Sequence, residues 1–142
     1  MLFVNIPVAD LERSKAFFAK LGFSFDPTMT DENAACMLVG EHAFVMLLSR
    51  EKFAEFSKLP SADPTTHALA LYSFSASSRD EVDAVSAAAL AAGGTEVDDA
   101  EDFGFMYSRS FFDLDGHGWQ VMWMDPAAAE QGPEAFAADA AA

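Results

Sequence analysis

Residues 8–23 read Val8-Ala9-Asp10-Leu11-Glu12-Arg13-Ser14-Lys15-Ala16-Phe17-Phe18-Ala19-Lys20-Leu21-Gly22-Phe23. Leu11, Ser14, Phe17, Phe18 and Leu21 recur at helical spacing, while Glu12, Arg13, Lys15 and Lys20 take the other side. Asp10 is a good N-cap, because its side-chain oxygen can accept from an orphan amide of the first turn. Gly22 stands where a helix needs a C′ residue. The spacing predicts a helix over 11–21, preceded by the short apolar strand Phe3–Val8. The same plan returns later in the chain. A strand is predicted over His67–Phe74. A capping box, Ser78-Arg79-Asp80-Glu81, then opens a helix over Arg79–Ala92 that buries Val82, Val85, Ala89 and Ala92 and ends at Gly93-Gly94. Internal repetition of this kind constrains the fold more strongly than any single residue.

Outward from the two helices, each half continues as extended segments. In the first half, Phe23–Phe25 is a brief strand. Ala34–Val39 and Ala43–Leu48 form a hairpin around Gly40-Glu41-His42, with His42 solvated in the turn. Phe53 and Phe56 suggest a short helix over 50–58, and Leu59–Thr66, with two prolines, reads as the linker. In the second half, Thr95–Val97 is a strand, Asp98–Asp102 an acidic loop, and Phe105–Phe112 and Trp119–Met124 strands joined through the turn at Asp115-Gly116. The reading is one domain over 1–125, made of two modules (about 1–58 and 67–125), followed by an Ala-rich tail over 126–142.

The chain has 142 residues, 51% of them hydrophobic and 14 of them Phe, enough for a folded core. Its formal charge is −15, from 23 acidic against 8 basic residues. Such a field repels phosphate backbones and anionic membrane surfaces, so neither nucleic acid nor membrane is an expected partner. Cys36, in the apolar run Ala34–Val39, is the single cysteine and reads as a buried inert thiol. The first residues show no signal-peptide pattern and no apolar run approaches the ~20 residues of a membrane helix, so the expected location is cytoplasmic.

The stretch 8–23 and a second motif, Asp113-Leu114-Asp115-Gly116-His117-Gly118-Trp119-Gln120-Val121, together with the repeat, resemble the vicinal oxygen chelate superfamily. That family includes glyoxalase I, extradiol dioxygenases, fosfomycin resistance proteins and bleomycin-binding proteins. The resemblance implies an α+β fold of paired βαβββ modules, whose mostly antiparallel strands curl into a cup with helices on the convex side. It also implies, for the family's enzymes, a divalent metal in the cup, ligated from the first and fourth strands of each half. Carried onto this chain, those positions are Phe3, Met46, Leu69 and Gln120. Phe and Leu cannot ligate, and a thioether and one amide do not suffice. No metal is therefore expected, with a divalent metal as the alternative if His67, two residues from Leu69, enters the set.

By strand alternation the ligand pocket is expected to include Phe3, Asn5, Met46, His67, Leu69, Gln120 and Met122. Such an apolar, Met-rich lining suits a small amphipathic or aromatic molecule; a filled core without a cavity is the competing reading. Arg109, mid-strand, is either a ligand anchor or half of a salt bridge, and His117 is a turn or edge residue. The function expected from the resemblance is a metal-free small-molecule binding protein of the glyoxalase/bleomycin-resistance type. The alternatives are a metal-dependent lyase or dioxygenase resembling glyoxalase I, or a metal-free enzyme with His67 as base and Gln120 as its polar partner. Small members of the family are commonly dimers. A homodimer is expected here, with the tail and its apolar anchor Phe136 near the interface.

Overall fold

The computed structural model describes residues 1–132, so Phe136 and the end of the tail lie outside the described residues. Packing divides the chain into two units. One comprises Met1–Leu69 and Leu114–His117, the other Ala70–Asp113 with the chain from Gly118 onward. The architecture is α+β, with two mostly antiparallel sheets and four α-helices among the described residues.

The first unit holds β1 (Leu2–Val8), α1 (Leu11–Lys20), β2 (Ser24–Asp26), β3 (Ala34–Gly40), β4 (Ala43–Ser49) and α2 (Arg50–Phe56), with a 3-10 turn at Pro27–Met29. Its sheet runs β1-β4-β3-β2, with β1 parallel to β4 and the other pairs antiparallel. Asp10 caps α1 as the sequence predicts, accepting from the Arg13 amide at 3.1 Å. Leu21 is the C-cap, and Gly22 takes φ 103°, a conformation that costs a Cβ-bearing residue about 1–2 kcal/mol. All five residues of the predicted stripe are buried. The helix packs on β3 and β4, and Ile6, Val8, Ala35, Met37, Val45 and Leu47 of the sheet are also buried. Phe17 and Phe18, ring on ring at 4.9 Å and 89°, each contribute about 1.5–3 kcal/mol by leaving water.

The second unit repeats the plan with β5 (Leu71–Ser75), α3 (Arg79–Ala91), β6 (Thr95–Glu96), β7 (Glu101–Asp102), β8 (Met106–Phe112), β9 (Gly118–Met124) and α4 (Pro126–Gln131). Its sheet runs β5-β9-β8-β6, with β7 also on β8. The segment read as an acidic loop thus contains a strand, because Glu101 and Asp102 pair with Ser108 and Tyr107. Ser78 caps α3, accepting from Glu81 N at 3.1 Å, while the returning Glu81 carboxylate is taken by Ser77 rather than by Ser78. Val82, Ser86 and Ala89 form the buried stripe, and Gly93 repeats the left-handed exit of Gly22 at φ 105°.

One predicted element is corrected. The strand expected over His67–Phe74 begins only at Leu71. A turn at Asp63 engages the amides of Thr66 and His67 on the Asp63 carbonyl, and the partner strand β9 begins opposite Leu71. His67 and Leu69 therefore lie outside the ladder, and alternation says nothing about where they point.

Residues Leu114–His117 belong to the first unit. Asp115, 8% exposed, accepts from the Ala9 amide at 2.8 Å and from Ser14 Oγ at 3.3 Å, with Arg13 Nη2 3.9 Å away. His117, also buried, places Nε2 2.8 Å from the Pro7 carbonyl, so that nitrogen must carry the proton. Asp115→Ala is expected to lower the unfolding free energy by about 1–3 kcal/mol, since it orphans a part-buried amide and a buried hydroxyl. Removing only the exposed cap with Asp10→Ala should cost about 1 kcal/mol. Urea unfolding of both variants tests this, and an Asp115→Ala loss under about 0.5 kcal/mol would mean water replaces the carboxylate.

Candidate functional site

The register of β1 on β4 sets Phe3 opposite Phe44 and Asn5 opposite Met46. Ile6, Val45 and Leu47 are turned to α1, so Phe3, Asn5, Met46 and Leu48 share the opposite face. Phe3 and Phe44 stack at 4.8 Å and 16° on it. Ser49 ends β4 and caps α2, accepting from Lys52 N at 3.2 Å. This bends the chain so that α2 lies against β1 and β4. A cavity of about 340 Å³ results, lined by Phe3, Asn5, Met46 and Leu48 from the two central strands, Ala34 from β3, Met29, and Lys52 and Phe56 from α2.

Of the predicted pocket residues, the cavity gathers Phe3, Asn5 and Met46. Met29, Lys52 and Phe56 were not predicted. A lone Met in a polar loop and the Phe53/Phe56 spacing were the available signals, but neither tells which way a short helix turns. Lys52 Nζ lies 3.0 Å from Glu55 Oε2 and 5.4 Å from the centre of the Phe56 ring.

His67 is exposed, with Nδ1 2.8 Å from Thr66 Oγ1, and Leu69 is 52% exposed. In the second unit Gln120 sits opposite Ser73 and Ser110 in the ladder and accepts from Ser73 Oγ at 3.2 Å. Met122 follows on the same face of β9 as Gln120. Arg109 lies on the α3 side, with Nη2 3.0 Å from Glu96 and Nη1 3.5 Å from Asp83 of α3. The salt-bridge alternative holds, because β8 alternation sends Tyr107 and Arg109 together toward α3, where the Tyr107 hydroxyl donates to Asp83 at 2.6 Å. That hydrogen bond raises the Tyr107 pKa.

A second cavity of about 370 Å³ in the first unit is bounded by Pro7, Arg50, Ser61, Asp63, Pro64 and Asp115. Its carboxylates are committed to the chain. Asp63 accepts from the Thr65 amide and hydroxyl, and Asp115 from Ala9 and Ser14. The apolar cavity is the better candidate, since no carboxylate of its own lining competes for a ligand's polar group.

The donor set does not fit a divalent metal. The implied ligand positions hold two hydrocarbons, one thioether and an amide already bonded to Ser73. Among the described residues no three His, Cys, Asp or Glu side chains come together as a metal site. Cys36 is fully buried, and burial followed by the Asp26 charge raises its pKa, which leaves the thiol unreactive. No helix among the described residues is long and apolar enough to cross a membrane.

Residues 1–40 match the family model for bleomycin resistance protein-like N-terminal regions. No curated protein sequence matches the chain. Among solved structures, a hypothetical protein from S. aureus is similar at 27% identity over 87% of this chain and 91% of its own, with a TM-score of 0.74. A glyoxalase-related enzyme from Fulvimarina pelagi is similar at 17% identity, over 87% of this chain and 86% of its own, with a TM-score of 0.73. A glyoxalase/bleomycin resistance protein/dioxygenase family enzyme from Burkholderia phytofirmans PsJN follows at 18% identity, over 86% and 96%, with a TM-score of 0.70.

The second unit holds a doubly bonded ion pair of its own. Arg79 grips Asp102 through two 2.9 Å bonds while lying 5.1 Å from the Tyr107 ring centre and 5.2 Å from that of Trp123. The guanidinium and the Gly104 amide bring the Asp102 carboxyl down to about 2 from 3.8. A depressed carboxyl stabilises the fold above its unfolded value and loses that contribution as pH falls through the folded one. Asp102→Asn is thus expected to be less stable than the parent at about pH 7, with the gap closing between about pH 4 and pH 2. Thermal unfolding across pH measures it, and a gap independent of pH would assign the effect to packing of Arg79 instead.

Proposed function

We propose that this chain, whose first forty residues match the bleomycin resistance protein-like N-terminal model and whose fold is similar to that of glyoxalase-related structures, is a metal-free, glyoxalase/bleomycin-resistance-like protein of the vicinal oxygen chelate superfamily that binds a small amphipathic or aromatic molecule. The observation that carries this reading is the cavity over Phe3, Asn5 and Met46. Its volume of about 340 Å³ falls at the small end of ligand pockets, which run ~300–1,000 Å³. Apolar walls supply most of the binding free energy, while Asn5 and Lys52 supply direction. Methionines at positions 29 and 46 let the walls adapt to more than one shape.

Binding rather than catalysis is favoured by the chemistry of the lining. None of the lining residues is a carboxylate, histidine or cysteine, so the cavity lacks the side chains that most often move protons or attack a substrate. Isomerising a hemithioacetal or splitting an aromatic ring with oxygen uses a metal, and the residues at the implied ligand positions do not fit one. Asn5 remains available to hold a ligand carbonyl or hydroxyl through its amide.

Two measurements test the reading. Methyl NMR of Met29 and Met46 should shift on titration with small aromatic compounds. Ala34→Leu, which fills the cavity from β3, should weaken that binding about tenfold or more by removing space without removing a polar contact. Unshifted methyls across a broad compound set would refute a ligand site. Protein purified without a chelator or affinity tag should contain no stoichiometric Zn, Ni, Mn or Fe, and about one such ion per chain would overturn the metal-free part.

A further inference from the structure

We propose that the apolar cavity of the first sheet selects hydrophobic carboxylates, with Lys52 Nζ as the partner of the carboxylate and the Asn5 amide as its second polar contact. This deepens the reading of the cavity as a ligand site and rests on it.

Lys52 is the one formally charged residue of the lining, and no acidic residue contributes to it. An amphipathic cation would meet the Lys52 ammonium, whose one carboxylate partner, Glu55, stands outside the lining. A neutral ligand would leave that ammonium beside apolar surface with nothing gained. A carboxylate with an apolar body satisfies both parts of the site at once. The protein's overall charge of −15 opposes anions at its surface in general, so an anion bound here depends on the local ammonium of Lys52.

Lys52 is also available. Its present partner is Glu55, three residues on in α2, with side chains 37% and 63% exposed. A pair that wet contributes only about 0–1 kcal/mol, so a ligand carboxylate can replace Glu55 at little cost. The Lys52 stem already lies along the cavity wall, which limits the rotamer freedom lost on binding. Because Ser49 caps α2 through the Lys52 amide, the backbone that carries the ammonium is held while the side chain can swing.

The test compares 3-phenylpropionate, 3-phenylpropionamide and 3-phenylpropylamine, which share one body and differ in the head group. Titrations followed by the Met46 methyl give an affinity for each in the parent protein, Lys52→Met, Lys52→Arg and Glu55→Gln. The carboxylate is expected to bind about tenfold tighter than the amide, and the amine weakest. Lys52→Met should erase the preference while leaving the amide's affinity within about threefold, Lys52→Arg should keep it, and Glu55→Gln should strengthen it. Equal binding of carboxylate and amide, or a preference that survives Lys52→Met, overturns the anion selectivity but leaves the cavity a ligand site. Failure of all three compounds to bind the parent overturns both.

Discussion

The Asp115 carboxylate is the constraint on which the first unit depends. It is nearly sequestered from water, and a buried charge is stable only when its lone pairs are occupied. Ala9 N–H and Ser14 Oγ occupy them, and the Arg13 guanidinium stands by. Those donors lie in the opening motif, immediately before α1 and in its first turns. Two residues on, His117 fastens to the Pro7 carbonyl. The two motifs that resemble a known family are therefore physical partners: one presents the donors and the other the acceptor. With β1 and α1 positioned in this way, the face of the sheet turned from α1 is available for a ligand.

Sheet alternation then sorts chemistry onto two faces. On the first sheet, Ile6, Val45 and Leu47 meet the Phe17/Phe18 pair, while Phe3, Asn5 and Met46 make the cavity. On the second, Tyr107 and Arg109 reach α3 to join Asp83, while Gln120 and Met122 point to the other side. A one-residue slip would exchange these sets. The rich polar network of Arg79, Asp83, Glu96, Asp102, Tyr107 and Arg109 accordingly serves the helix–sheet contact of its own unit, and the cavity is left almost without polar groups.

That poverty shapes what the site can do. The scaffold is one on which other proteins carry names of enzymes and of resistance proteins, and fold alone does not choose between such functions. The choice rests on side chains. A thioether and a phenyl ring where a metal would need imidazole or carboxylate make the cavity a surface for apolar bodies. Asn5 and Lys52 are its only means of orienting them.

The repeat, both helix caps, the buried stripe of α1 and three cavity residues were legible in the sequence, because they follow from periods of 3.6 and 2 and from cap chemistry, which act within a few residues. Strand β7 was not legible, since an acidic pair becomes a strand only when a neighbouring edge offers hydrogen bonds. The start of β5 was misread, because the Asp63 turn takes the His67 amide and β9 has no residue to pair with it. Arg109 carried two readings, and the positions of Glu96 on β6 and Asp83 on α3 separate them. Lys52 and Phe56 entered the cavity through the bend at Ser49, a direction in space with no counterpart in spacing. Asp115 read as a turn residue, and its burial against Ala9 and Ser14, about a hundred residues away in sequence, was decided by the tertiary structure alone, because a carboxylate's partners are set by proximity and desolvation rather than by order along the chain.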